Sequence, residues 1–172
     1  MKKIILTIIL IMGFYMMIGQ VSSLVIPEDA LRIRVIANSD DEYDQEVKNI
    51  VKENIQFKLY ELLKDIKGTK EARKIINNNL SNIDKEVSAT LQRLNYNLGY
   101  NINYGLNYFP SKEYKGTTYE EGYYESLAIT LGEGKGSNWW CVLFPPLCLL
   151  EAEESTDVEY TSFVKELIDK YL

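Results

Sequence analysis

The 172-residue chain contains no histidine. Ser-His-Asp and Cys-His catalysis are thereby excluded, and the commonest zinc ligand is missing. With two cysteines in the whole sequence, a closed four-ligand zinc site would need carboxylates to complete it. Positive charge is also short: 19 Lys and Arg stand against 25 Asp and Glu, a formal net charge of −6. Sequence-independent binding to a phosphate backbone requires clustered cations, so no nucleic-acid partner is expected, and anionic lipid headgroups offer no attraction either. There is no internal repeat. What chemistry remains available is hydrolysis by paired carboxylates.

The first 26 residues stand apart. Lys2 and Lys3 precede an apolar run from Ile4 to Ile18, and Val21-Ser22-Ser23 offers small residues at a cleavage position. This pattern describes a secretory signal, or an N-terminal membrane anchor if it is not cut. Both readings put the rest of the chain outside the cytoplasm of the producing cell, and limit membrane association to the uncleaved leader. Residues 27–150 then form one domain, large enough to fold unaided. Residues 151–172 are an acidic linker followed by a helix from about Tyr160, with Phe163, Val164, Leu167, Ile168 and Tyr171 on one stripe.

Within the domain, Leu31, Ile33, Val35 and Ala37 alternate with Arg32, Arg34 and Ile36, which predicts a half-buried strand. Asn38-Ser39-Asp40 ends it and supplies helix-capping groups. A helix follows from about Asp41 to Ile66, with Val47, Ile50, Val51, Leu59, Leu62, Leu63 and Ile66 on its inner face. Gly68 stops it. A second helix begins at Thr69 and a third is capped by Ser81, with Asn77-Asn78-Asn79 weakening the junction; whether the two are continuous is open. The alternation Leu98, Tyr100, Ile102, Tyr104, Leu106, Tyr108 against Gly99, Asn101, Asn103, Gly105 and Asn107 predicts a strand with one solvated side. Short strands at 114–119, 124–131 and 138–144 complete the reading. The expected fold class is α+β: a two-layer domain whose mainly antiparallel sheet is packed by two to three N-terminal helices, plus a C-terminal helix.

Chemistry concentrates between Gly132 and Cys148, where a glycine-rich turn, two Trp, two Pro and both cysteines fall together. The turn matches neither phosphate-binding fingerprint: Gly136 stands between Lys135 and Ser137, and a strand follows where a helix would be needed. It reads as a tight hairpin presenting Glu133 and Lys135. Trp139 and Trp140 face opposite sides of their strand. One belongs to the core; the other covers the far face, lies under the tail, or is an exposed anchor beside Phe144 and Pro145. Cys141 and Cys148 are either buried small hydrophobes or a disulfide contributing roughly 2.5 kcal/mol in the chain-entropy model. Glu113, Glu125 and Glu133 are the acids nearest the aromatic sheet. Two of them at glycosidase spacing would suit a cell-wall hydrolase; otherwise Glu113 and Glu133 belong to turns, and Glu125 sits on a strand face or pairs with Arg32 or Arg34. If the first strand pairs with residues 138–144, Asn38 and Ser39 come near the glycine turn.

Together with Ile36-Ala37-Asn38-Ser39 and Pro110-Ser111-Lys112-Glu113-Tyr114-Lys115-Gly116, the 132–148 block closely resembles the stage II sporulation protein R family, and the likeness runs from about Leu31 to Cys148. The resemblance implies a secreted signalling protein with no catalytic residues, no metal, no cofactor and no small-molecule substrate. It implies release from the forespore into the space between forespore and mother-cell membranes. There the expected partner is a membrane-embedded aspartic peptidase, whose activation leads to pro-sigma-E processing in the mother cell. The contact surface carried over is Lys112, Glu113 and Tyr114, the turn Gly132, Glu133, Gly134, Lys135 and Gly136, and the strand residues Asn138, Trp139, Trp140, Phe144, Pro145 and Pro146. A cell-wall hydrolase and a passive envelope-binding module are the other classes that composition leaves open.

Overall fold

The computed structural model describes residues 29–114 and 117–145, with the side chains of 112–118 left aside. The leader, Lys115, Gly116, Pro146, Cys148, the acidic linker and the C-terminal helix lie outside the described residues. Strand β1 (Leu31–Ile36) leads into helices α1 (Glu42–Leu63) and α2 (Thr69–Arg93). Strands β2 (Tyr100–Phe109), β3 (Lys112–Tyr114), β4 (Thr117–Tyr119), β5 (Gly122–Leu131) and β6 (Asn138–Phe144) come after them. The architecture is α+β. No helix among the described residues is long and apolar enough to cross a membrane.

The sheet runs β2-β5-β1-β6 and is mixed: β1 is parallel to β5, whereas β1–β6 and β2–β5 are antiparallel. A small β3–β4 hairpin stands separately, with Lys112 opposite Tyr119. The expectation of a mainly antiparallel sheet is corrected at its centre. β1 inserts between β5 and β6, and the long connection from β1 to β5, through both helices and then β2, β3 and β4, allows the parallel pairing.

Strand alternation sends Leu31, Ile33, Val35, Leu127, Ile129, Leu131 and Leu143 to one face, where they meet Val47, Val51, Ile55 and Leu59 of α1 and Ile76, Ile83 and Val87 of α2. Ile50 and Leu62, expected inside, are half-buried, and Ile55 takes a core position. Among the described residues two helices stand where two to three N-terminal helices were expected, because α2 runs unbroken through Asn77-Asn78-Asn79. Ile76 and Ile83, both fully buried, hold the helix on either side of the Asn run, so packing overrides weak propensity. Asn79 Nδ2 donates to the Ile75 carbonyl at 2.8 Å, an in-helix bond that leaves the ladder intact. On β2, Tyr100, Ile102 and Tyr104 pack on the core, while Leu106 and Tyr108 are exposed.

Candidate functional site

The glycine-rich turn is not a hairpin. Its flanking strands β5 and β6 are separated by β1, so residues 132–137 bridge over the C-terminal end of β1. That geometry brings the turn onto Asn38-Ser39-Asp40, which leave β1 at the same end. Lys135 N donates to the Asn38 carbonyl and Gly136 N to the Ala37 carbonyl, each at 3.0 Å. Glu133 N donates to Asn38 Oδ1 at 2.9 Å, and Ser137 N to Asp40 Oδ1 at 2.6 Å. Four loop amides between 133 and 137 are thus committed to the β1–α1 connection. None of the four is left to cradle a phosphate, which closes the phosphate-loop reading on geometry.

The loop needs its glycines for two different reasons. Gly132 and Gly134 adopt φ of 54° and 64°, where a Cβ is disfavoured. At Gly136 a Cβ would collide with the backbone carbonyl of Ser39. Beneath the loop, the buried Asp44 carboxylate at the start of α1 accepts from Asn38 Nδ2 at 2.7 Å and Ser39 Oγ at 2.6 Å. Gln45 Nε2 donates to the Ser39 carbonyl at 2.9 Å. Asp41 is the helix N-cap but makes no side-chain capping bond; its carbonyl accepts from Gln45 N at 3.0 Å. Hydrogen bonding from Ser137 holds the Asp40 carboxyl below the usual aspartate range, and burial lowers the Lys48 ammonium. The result is a pinned apex whose exposed tip is Glu133 and Lys135, ion-paired at 2.5 Å.

At the opposite end of the sheet, on the face away from the helices, lies an aromatic and arginine cluster. Trp140 stands beside Phe109 and Tyr119, with ring centres 5.8 and 5.4 Å away, both edge-on. Arg32 Cζ sits 3.4 Å from the centre of the Tyr124 ring and 5.6 Å from that of Phe109. Arg34 Cζ is also 5.6 Å from Phe109, and its Nη1 donates to the Tyr108 carbonyl at 2.9 Å. Burial pushes both guanidinium groups below their ordinary range.

The residues singled out in the sequence therefore divide. Gly132, Glu133, Gly134, Lys135, Gly136 and Asn138 share the apex with Asn38 and Ser39, as the β1–β6 pairing requires. Lys112, Glu113 and Tyr114 form β3 at the other end, joined to Trp140 through Tyr119 of the paired strand β4. Trp139 packs against the helix-side core with Lys52 Nζ 5.7 Å from its ring centre, and Trp140 covers the far face. Phe144 is buried in the core and Pro145 is half-buried. Cys141 is disulfide-bonded, and the chain has one other cysteine, Cys148.

Glu125 pairs with neither Arg32 nor Arg34. It faces the helices, where Arg73 Nε donates to it at 2.7 Å and Tyr104 Oη at 3.0 Å. Roughly 20 Å of extended strand separates it from Glu133, well beyond the span of a glycosidase acid pair. Among the described residues, no group of three or more His, Cys, Asp or Glu is placed to hold a metal. Sequence reasoning missed Asp40, Asp44 and Gln45 as members of the apex, and Phe109, Tyr119 and Tyr124 as the surroundings of Arg32. The arginines themselves were legible: two cations at alternate strand positions opposite a fully apolar face.

A one-sided mixed sheet, helices behind it and a pinned glycine apex at one end, defines an α+β domain with a built loop surface. The sequence match is specific: the family profile described as Stage II sporulation protein R covers residues 27–154. The chain belongs to that family. Stage II sporulation protein R of Bacillus subtilis (strain 168) is 39% identical over 127 residues, covering 74% of this chain and 57% of the relative. The match thus spans a little over half the relative's length. No solved structure matches.

Proposed function

We propose that this protein is a secreted intercompartmental sporulation signal, which binds a membrane-embedded aspartic peptidase from outside the receiving cell and favours its active arrangement, leading to pro-sigma-E processing. Membership of the stage II sporulation protein R family supports a sporulation role. The observation that carries the reading is the pinned apex. Loop amides bonded to Asn38, Ala37 and Asp40 fix the position of Glu133 and Lys135 before any partner arrives. A ligand shifts an equilibrium only by its difference in affinity for the two states, and a preordered contact loop loses little entropy on binding. Trp140 and the β3–β4 hairpin offer a second contact zone at the other end of the sheet.

The test is reconstitution in a non-sporulating bacterium carrying the peptidase and pro-sigma-E. Cleavage that requires the exported protein, and is lost in Glu133→Ala while the protein still folds, supports the proposal. Folded, exported protein that leaves pro-sigma-E intact beside an active peptidase control overturns direct activation. Release of sugar or peptide fragments from purified peptidoglycan would instead favour a wall hydrolase.

A further inference from the structure

Strand β2 is an edge of the sheet, ten residues long, and its single ladder is with β5. The N–H and C=O groups on its other side have no strand to join among the described residues, which leaves a template for a further strand. Edges of this kind are ordinarily blunted by charge or proline. Here no charged residue stands between Arg93 and Lys112, and no proline occurs within the strand. Apolar side chains are also uncovered beside it. Leu106 is 70% and Tyr123 71% exposed, and Tyr108 lies edge-on to Tyr123 with ring centres 5.7 Å apart. Alternation and the β2–β5 register put these three on one face of the sheet, the face that carries Tyr104.

The sequence of β2 is its own complement. Residues 100–108 run Tyr-Asn-Ile-Asn-Tyr-Gly-Leu-Asn-Tyr, nearly the same in both directions about Tyr104. Two such strands laid antiparallel about that residue set Tyr100 against Tyr108, Asn101 against Asn107, Ile102 against Leu106 and Asn103 against Gly105. The aromatic and aliphatic pairs fall on one face and the polar pairs on the other, and matched neighbours of this kind stabilise a sheet. A primary amide both donates and accepts, so Asn101 and Asn107 can bond across the junction. Charge favours the same place. With a formal net charge of −6, two copies repel each other overall, but this strand is neutral. The opposite edge, β6, is seven residues long and does not mirror itself.

We propose that a second copy of this chain docks on β2, antiparallel and about a two-fold axis at Tyr104, joining two four-stranded sheets into one. The helix layers of both copies then lie on the same face, and Leu106 meets Ile102 of the second copy. The contact is isologous and occupies both β2 edges, so assembly through it stops at the dimer. The two glycine apexes sit at opposite ends of the joined sheet, because Tyr100 lies beside Leu131 at the apex end of each copy. The inference stands independently of peptidase activation.

The experiment uses the full chain in mild detergent, with Asn101→Cys and Asn107→Cys in separate variants. Along one strand these positions are about 20 Å apart, and in the proposed dimer two copies of either position are separated by the same span. Mild oxidation of the mixed variants should give a disulfide-linked dimer joining positions 101 and 107, identified by peptide mass spectrometry. Either variant alone should give about tenfold less dimer, because so wide a gap cannot be bridged. Absence of the mixed link, or equal dimer from the single variants, overturns the proposal. A second arm needs no cysteine. Exchange of the outward-facing amides of residues 100–108 in the unsubstituted chain should slow several-fold when its concentration is raised about 100-fold. Leu106→Lys, at an exposed position, sets a charge into the junction and should remove that dependence. Exchange in the unsubstituted chain that ignores concentration overturns the proposal as well. A link at position 101 or 107 that forms only when a different protein is added overturns self-pairing and assigns the edge to that partner.

Discussion

The Ser137 amide donates to Oδ1 of Asp40 at 2.6 Å, joining positions 97 residues apart at the sheet apex. This bond also depresses the Asp40 carboxyl, so protonation and loop attachment are linked. The folded value lies below the unfolded one. The stabilisation is therefore complete above the unfolded value and is lost as pH falls through the depressed folded value. The Ser137 amide resonance should titrate with a midpoint below 3.8, the ordinary value for this carboxyl. Asp40→Asn should abolish that titration. A midpoint at or above 3.8 would contradict the linkage.

Gly136→Ala sets a Cβ against the Ser39 backbone, which cannot swing aside as a side chain can. The expected loss is about 1–3 kcal/mol, read as a lower urea midpoint with unchanged slope. Gly99→Ala is the control, because nothing lies within 4 Å of a Cβ there.

Tyr96 has a buried hydroxyl with no hydrogen-bond partner among the described residues, and burial pushes its pKa up from 10.0 to about 12. Its contribution to stability is complete below pH 10 and is lost as pH rises towards 12. Tyr96→Phe removes the unsatisfied group at nearly the same volume, so stability at neutral pH should stay level or rise by about 1 kcal/mol. Alkaline unfolding between pH 10 and 12 should become less steep in the variant. Marked destabilisation at neutral pH would show that the hydroxyl has a partner.

Glu125 ties α2 to the sheet through Arg73 and ties β2 to β5 through Tyr104. Glu125→Ala leaves both donors without their acceptor and should cost about 1–3 kcal/mol in denaturant unfolding. The double variant Glu125→Ala, Arg73→Ala should lose less than the sum of the two single changes.

Much of this fold is legible because it rests on local pattern. The alternation of Leu31, Ile33 and Val35 with Arg32 and Arg34 gives β1, and the apolar stripe Val47, Val51, Leu59 and Leu63 gives α1. The central parallel pairing is not local. A turn of glycines and polar residues between two strands reads most simply as a hairpin, and nothing in Gly132–Gly136 announces that β1 lies between them. The helix junction at Asn77-Asn78-Asn79 is undecided in the sequence for a related reason. Propensity argues for a break there, and the burial of Ile76 and Ile83 that opposes it depends on the sheet beneath. At the site, Asn38 and Ser39 could be brought to the glycine loop by one pairing hypothesis. Asp44 could not, because its task as acceptor for both appears only when α1 turns back over the strand end.

The position of β1 orders the construction of the domain in time. It is the first strand in the chain, yet both neighbours, β5 and β6, come after both helices. Until they arrive its backbone donors and acceptors have no ladder to join, and the core face carrying Leu31, Ile33 and Val35 has no flanking strands. Such distant pairing makes closure slow and cooperative, so a nascent chain stopped short of Asn138 holds an unfinished sheet with β1 as an open edge. The residues that complete the apex are thus also among the last to be supplied, and the surface proposed to carry the signal comes into existence only when the whole domain does.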